Sequence, residues 1–397
     1  MEIPLRLAAG WLIDGTGSPP KRDVLVCVEN GVIASVASGG GGEPDPRDPL
    51  VTDLARCTVL PGLVDCHVHL AMSGTEDAQI RRRQLCLPYD EAVPLIRERL
   101  LEHLACGIVA VRDGGDGAAH TLRYRIERLP CPDLPVAVKS PGTAWHSPDR
   151  YGKLIGKAPR EGVSLAECIS TSSAAADHVK IVNSGLNSLR EFGRETPPQF
   201  GCEELARAVA AARKGGWTTM VHANGNVPVR LAVEAGCDSI EHGFFMGSEN
   251  LERMAERQTY WVPTAFTMKA FAAHALSGSR EAEISRKNLD HQLEQLRRAR
   301  ELGVPVATGT DAGGPGIHHG KALAEELKLF MEAGFSIQDA IRCAALNGAR
   351  LLGIESVVGE VKAGRAATFL VVPGPPDALP GSLRHVERVY VFGTRVK

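Results

Sequence analysis

From Leu60 onward the chain alternates short apolar runs with polar loops and longer stretches of helical period. The runs are the segment ending in LPGLVDCHVHL, then GIVAVRDGG, PVAVKSPG, HVKIVNSG, TTMVHANG, SIEHGFF, YWVPTAF and VPVATGTDAG. Each is short and rich in β-branched or apolar residues, as a buried strand is. Between them, CEELARAVAAARKGG places Leu205, Val209 and Ala212 at helical spacing, and NLDHQLEQLRRARELG runs to a closing glycine. Both are helix patterns, the second with a C-terminal stop. Strand–helix alternation predicts a parallel sheet with crossover helices. Eight such units predict closure into a (β/α)8 TIM barrel of the α/β class.

The two ends of the chain read differently. Residues 1 to about 60 hold the strand-like pieces LRLAAGWLI, DVLVCVENG and VIASVAS, divided by Gly, Pro and Asn-Gly turn signals. The insert SGGGGEPDPRDP at 38–49 favours a mobile surface loop, because glycine raises the entropy lost on ordering and each proline removes a backbone donor. After the eighth run SIQDAIRCAALNGARLLG reads as a helix, and GEVKAGRAATFLVVP and HVERVYVFGTRVK return to strands. The expectation is a barrel over 61–355 and a small flanking β-sandwich built from 1–60 and 356–397.

Composition narrows the function classes. A barrel of about 250 residues plus a small attachment fills the 397 residues, and 44% hydrophobic residues supply a large core. A formal charge of -2 with mixed signs lacks the basic patch of a nucleic-acid binder, so the expected partner is a small molecule. Ten cysteines, scattered without CxxC spacing, fit reduced thiols in a cytoplasmic protein. The opening MEIPLRLAAGWLIDGTG lacks the features of a signal peptide, and no long apolar run predicts a membrane span. Oligomeric state is left open, a homo-oligomer included.

Candidate chemistry lies where the apolar runs end. In LPGLVDCHVHL the strand period of two points His67 and His69 to one side and Cys66 and Val68 to the other. Lys180, His222, His242 and Asp311 sit in four later runs. A lone His-x-His pair also occurs on surfaces and in satisfied cores, a lone histidine is often a hydrogen-bonded core residue, and Asp311 alone could cap a helix. Taken together at the C-terminal ends of parallel neighbouring strands, the six form a candidate metal site.

The order and context of the six resemble the amidohydrolase superfamily, in the subtype with two metals bridged by a carboxylated lysine. The resemblance spans nearly the whole chain. It implies two divalent ions, with zinc the first choice, one on His67, His69 and Asp311 and the other on His222 and His242. It also implies Lys180 carboxylated by carbon dioxide as the bridge; the other reading of Lys180 is an ion-paired lysine beside a strand. A bridging hydroxide would attack, with Asp311 as the catalytic proton carrier. GIVAVRDGGD, HVKIVNSG, VRLAVEAGCDSIEHG and GTDAGGPGIHHGKALAEEL followed by NGARLLG look most like the prolidase-like dipeptidase and carboxypeptidase branch. That implies hydrolysis of the C–N amide bond of a dipeptide or N-acyl amino acid. Deamination or cyclic-amide hydrolysis of a nitrogen heterocycle, and lactone or phosphoester hydrolysis, remain alternatives on the same barrel. A non-catalytic scaffold is disfavoured because no ligand is missing.

Substrate contacts are expected in loops after strands. His146 and His319 match family positions near the substrate and at the site's mouth. Arg150 and Tyr151 follow His146 in the same loop and offer groups that take a carboxylate. Asn224 stands where relatives carry histidine or tyrosine. His318 reads as solvent-facing, Arg81, Arg82 and Arg83 as a solvated helix face, and Asp65 and Glu241 as partners of the ligands without catalytic roles.

Overall fold

A computed structural model describes residues 5–38, 51–171 and 174–397. Most of the 38–49 insert lies outside the described residues; Ser38 itself ends strand Val32–Ser38.

The barrel is built from parallel pairs. Leu63–Val68 pairs with Ile108–Asp113, and that strand with Ala137–Lys139. His178–Val182 pairs with Thr218–Ala223, then Ser239–His242, then Tyr260–Val262. These two arcs are joined on one side by Asp177 N–H donating to the Ser140 carbonyl at 3.0 Å and by Ser140 N–H donating to Asp177 Oδ2 at 2.9 Å. On the other side the predicted eighth strand closes the ring: Trp261 N–H donates to Pro305 O at 2.9 Å and Cys66 N–H to Thr308 O at 2.9 Å.

That eighth segment forms no continuous strand; its β pairings are isolated bridges at Val306 and Ala312. It leaves the ladder because Thr308 N–H donates to the Cys343 carbonyl and Asp311 adopts a left-handed backbone at φ 59°. Gly309 is required by proximity: a Cβ there would lie 2.4 Å from Val262 Cγ1 and 2.8 Å from His67 Cβ. Gly309→Ala is therefore expected to lower unfolding free energy by about 1–3 kcal/mol through overpacking, read as a shifted urea midpoint.

Helix Cys202–Lys214 buries Leu205, Val209 and Ala212, together with Ala208. The 288–303 helix starts earlier than its apolar pattern suggests, at Arg280, where Ser279 Oγ accepts from Ala282 N–H; Gly303 closes it in the left-handed region at φ 73°. The stretch after the eighth segment is Ile337–Arg342 and Gly348–Leu352 with one π turn, Cys343–Asn347, between them.

The chain ends form one seven-stranded sheet in the order Thr394–Arg395, Arg388–Val391, Phe369–Pro373, Val51–Pro61, Leu5–Leu12, Lys21–Glu29, Val32–Ser38. It folds over its own core of Leu7, Val26, Ile33, Val59, Phe369 and Val371. Its edge strand Val32–Ser38 and the turn before it meet the segment leading into Phe369–Pro373, where Ile33 N–H donates to Arg365 O at 2.9 Å and Ala367 N–H to Gly31 O at 2.8 Å. Val51–Pro61, which the sequence pattern did not single out, joins N-terminal to C-terminal strands and leads through Gly62 into the first barrel strand. No disulfide links any of the ten cysteines. Among the described residues no helix is long and apolar enough to cross a membrane.

Candidate metal centre

Four barrel strands and the eighth segment bring the six polar residues together. His67 Nε2 and His69 Nε2 lie 3.6 and 3.4 Å from Asp311 Oδ1, and ligand atoms of these three residues all fall within 4.8 Å of one another. The rings continue as a chain: His67 to His242 at 4.8 Å between centroids, and His242 to His222 at 4.6 Å. Lys180 and the four histidines are all buried.

Each imidazole has one nitrogen already engaged. His67 Nδ1 donates to Glu241 Oε2 at 2.8 Å, His69 Nδ1 to the Gly115 carbonyl at 3.0 Å and His222 Nε2 to the Gly185 carbonyl at 3.1 Å. These acceptors carry no proton of their own, so the ring proton sits on the engaged nitrogen and the other keeps a lone pair. His242 Nδ1 is 2.7 Å from Thr264 Oγ1, which leaves Nε2. Burial holds all four rings neutral: His69 is lowered to about 4 and His222 to about 3, with the Lys180 charge as a further cause, and His67 and His242 lie well below the ordinary value.

Lys180 is the anomaly. Its Nζ is buried and has no hydrogen-bond partner among the described residues. Burial, assisted by the Arg112 charge, lowers its pKa to about 8 against the pull of Glu241, Asp311 and Asp113. An amine so placed is readily freed of its proton. Asp311 is pushed up to about 7 by burial, against the Lys180 charge. Four lone-pair imidazoles, one carboxylate and one orphaned buried amine fit a pair of divalent ions and do not fit a satisfied core.

The supporting side chains come from across the barrel. Glu241 Oε1 accepts from Arg112 Nη2 at 2.7 Å and Ser239 Oγ at 2.6 Å, while Arg112 Nε donates to the Cys66 carbonyl at 2.8 Å. Asp65 staples the first strand to the eighth segment by accepting from Thr310 Oγ1 at 2.7 Å and Thr310 N–H at 3.0 Å. Asp113, raised to about 7 by burial, accepts from Leu70 and Gly115 N–H groups and so fixes the loop that holds His69. Backbone strain gathers here as well: His242, Thr264 and Asp311 all have positive φ, at 68°, 46° and 59°. For non-glycine residues, above all a β-branched one, that conformation persists only where surroundings enforce it.

The expected substrate residues divide. Tyr151 is brought to the centre, its ring 5.4 Å from His222, and burial and the Asp311 charge raise its hydroxyl. His146 is buried with Nδ1 2.8 Å from the Ser147 carbonyl, under the close approach of Gly152. Arg150 is turned elsewhere, donating to the Pro197 carbonyl at 2.9 Å. His319, expected near the site's mouth, is buried: its Nε2 donates to the Met72 carbonyl at 2.8 Å, and its ring packs edge-on against His103 at 5.1 Å. His318 is exposed. Asn224 ties loops together, accepting from Phe244 N–H at 3.1 Å and taking Ser184 Oγ on its own N–H at 2.9 Å.

Arg81 corrects the sequence in the other direction. Only Arg82 and Arg83 are solvated; Arg81 is half-buried, and its Nη1 donates to the Gly313 carbonyl at 2.8 Å and the Ser73 carbonyl at 3.0 Å. Its charge acts on Asp311. The run of three arginines concealed this difference, which depends on a carbonyl far along the chain.

Comparison with known proteins follows the same lines. The model of the amidohydrolase family matches residues 58–395. The chain belongs to the amidohydrolase family. It is a hydrolase of carbon–nitrogen bonds, and members of this family generally use divalent metals. This amidohydrolase is 26% identical to ochratoxinase from Aspergillus niger over 93% of its own length and 81% of the relative's. It is 23% identical to imidazolonepropionase from Pseudomonas fluorescens over 81% and 80%. It superposes on a Xaa-Pro dipeptidase, solved with methionine bound in the active site, with a TM-score of 0.81 and 26% identity, covering 99% of both chains.

Proposed function

We propose that this amidohydrolase hydrolyses the amide bond of a dipeptide or N-acyl amino acid at a two-metal centre. One ion would be held by His67, His69 and Asp311, the other by His222 and His242, with Lys180 carboxylated between them. The observation that carries this reading is the Lys180 amine: buried, without a partner, and surrounded by imidazoles whose lone pairs are free. As a neutral amine it adds carbon dioxide, forming an N–C bond and releasing the nitrogen's proton. The product is an anion that replaces a buried cation among ligands. Bound there, divalent ions supply positive charge that polarises the scissile carbonyl and lowers the pKa of water.

The chain's own groups do the rest. Asp311, whose side chain is about a quarter exposed, takes the proton of the attacking water on its carboxylate and returns it to the departing nitrogen. Glu241 and the Gly115 and Gly185 carbonyls hold the imidazoles in the tautomer that ligation needs. Tyr151, packed against His222, would present its hydroxyl to the substrate. The Xaa-Pro dipeptidase relative, with an amino acid in its active site, supports this substrate class.

The test is a screen of metal-reconstituted protein against dipeptides, N-acyl amino acids and nitrogen heterocycles. Turnover of a dipeptide or N-acyl amino acid that disappears on chelation is the expected result. Ring opening or ammonia release from a heterocycle, with no amide turnover in the other two classes, would contradict it.

A further inference from the structure

Three rings from three separate segments meet on the face of the barrel that carries the metal centre. Phe192 lies in the loop after the Lys180 strand, Phe245 in the loop after the His242 strand, and His291 on helix Arg280–Leu302. Phe192 stands edge to face on Phe245 at 5.3 Å between centroids, and Phe245 lies 4.6 Å from His291. Phe192 is 47% exposed, and Leu186 in the same loop is exposed too. Phe245 is held in the left-handed region at φ 58°, uncommon for a bulky side chain and sustained only where surroundings over-determine it.

The cluster is tied to the metal centre. Phe245 follows His242 by three residues, a reach of at most roughly 11 Å. Gln292, next to His291, donates to the His242 carbonyl at 2.6 Å. Along the same helix Gln295 Nε2 donates to the Gly243 carbonyl at 3.2 Å, and Asn288 Nδ2 donates to the Ser188 carbonyl at 3.1 Å. All three amides are buried. One helix face thus fastens both loops, so the rings form a pre-set surface, the condition under which little ordering entropy is lost on binding.

We propose that Phe192, Phe245 and His291 form the seat for an aromatic side chain of the substrate, making amides of aromatic amino acids the preferred class. The patch is a few rings wide, far smaller than the roughly 800 Å² per partner of a stable protein interface, and the chain and Gln292 tie it to His242. A substrate ring completes the edge-to-face set that Phe192 leaves open. For turnover this rests on the amide-hydrolase reading above; for binding it does not.

The test compares metal-reconstituted wild type, Phe192→Ala and Phe192→Leu on N-acetyl-L-phenylalanine and N-acetyl-L-alanine. Binding of 3-phenylpropanoate to the same samples is followed by NMR. In the alanine variant the preference for the phenylalanine substrate, as a ratio of kcat/KM values, is expected to fall about tenfold. The change should lie in KM, with partial recovery in the leucine variant and matching weakening of 3-phenylpropanoate. Equal kcat/KM for the two substrates in wild type, or a ratio unmoved by Phe192→Ala, overturns the proposal. If neither amide is turned over, the hydrolytic reading fails by itself, and 3-phenylpropanoate decides the seat: weaker binding to Phe192→Ala supports it, and unchanged or absent binding overturns it.

Discussion

Lys180→Ala is expected to lower kcat/KM by about a thousandfold or more and to reduce bound metal below two ions per chain. On the proposed reading, removing the side chain would delete both carbamate oxygens and the charge that balances two dications. A loss of several kcal/mol of charge stabilisation corresponds to that factor. The space left is lined by neutral imidazoles and sits beside Asp311, so a short carboxylate such as acetate added to the buffer should restore part of the metal content and rate. Lys180→Met, which fills the same space with an apolar chain, should not be rescued. Steady-state kinetics and elemental analysis on the same samples check this. Full activity in Lys180→Ala without added carboxylate would contradict the role assigned to the amine.

Arg112→Met is expected to cost about 3–5 kcal/mol of unfolding free energy, because it leaves the Glu241 carboxylate buried and unpaired. Both side chains are shut off from solvent, and their 2.7 Å contact is one of three that Arg112 makes inside the barrel. The double variant Arg112→Met with Glu241→Leu should regain part of the loss, since an apolar pair of similar volume removes the unpaired charge. Urea unfolding of the metal-free proteins measures both. A loss under about 1 kcal/mol in the single variant would show that Glu241 is satisfied by Ser239 and His67 alone.

The cluster of candidate ligands was legible because each lies where a run of strand character stops, and a parallel barrel gathers such ends on one face. Period-two spacing placed His67 and His69 on the same side without any knowledge of the fold. What stands behind them was less legible. Arg112 and Glu241 are far apart in sequence and meet only because the second and sixth barrel strands face one another across a closed ring. Arg81 looked like its two solvated neighbours, and its contact with the Gly313 carbonyl exists only once the eighth segment has turned at Asp311. The burial of His319 is of the same kind, since its partners, the Met72 carbonyl and the His103 ring, lie far from it along the chain.

At the level of fold, the repeating strand–helix rhythm was readable, but places where packing overrides pattern were not. The eighth segment gives up its ladder to bring Gly309 against His67. The helix from Arg280 extends backward to a serine cap that its apolar spacing does not announce. Val51–Pro61 is a long strand whose apolar residues crowd its second half, so its alternation is faint, although it joins the terminal sheet to the barrel.

The most direct measurement of the central claim is 13C NMR of metal-reconstituted protein prepared with 13C-bicarbonate, with metal content determined on the same sample. A single protein carbamate signal, absent from Lys180→Ala and accompanied by two divalent ions per chain, is the predicted result. No carbamate signal in a protein that nonetheless holds its metal and hydrolyses its substrate would contradict it.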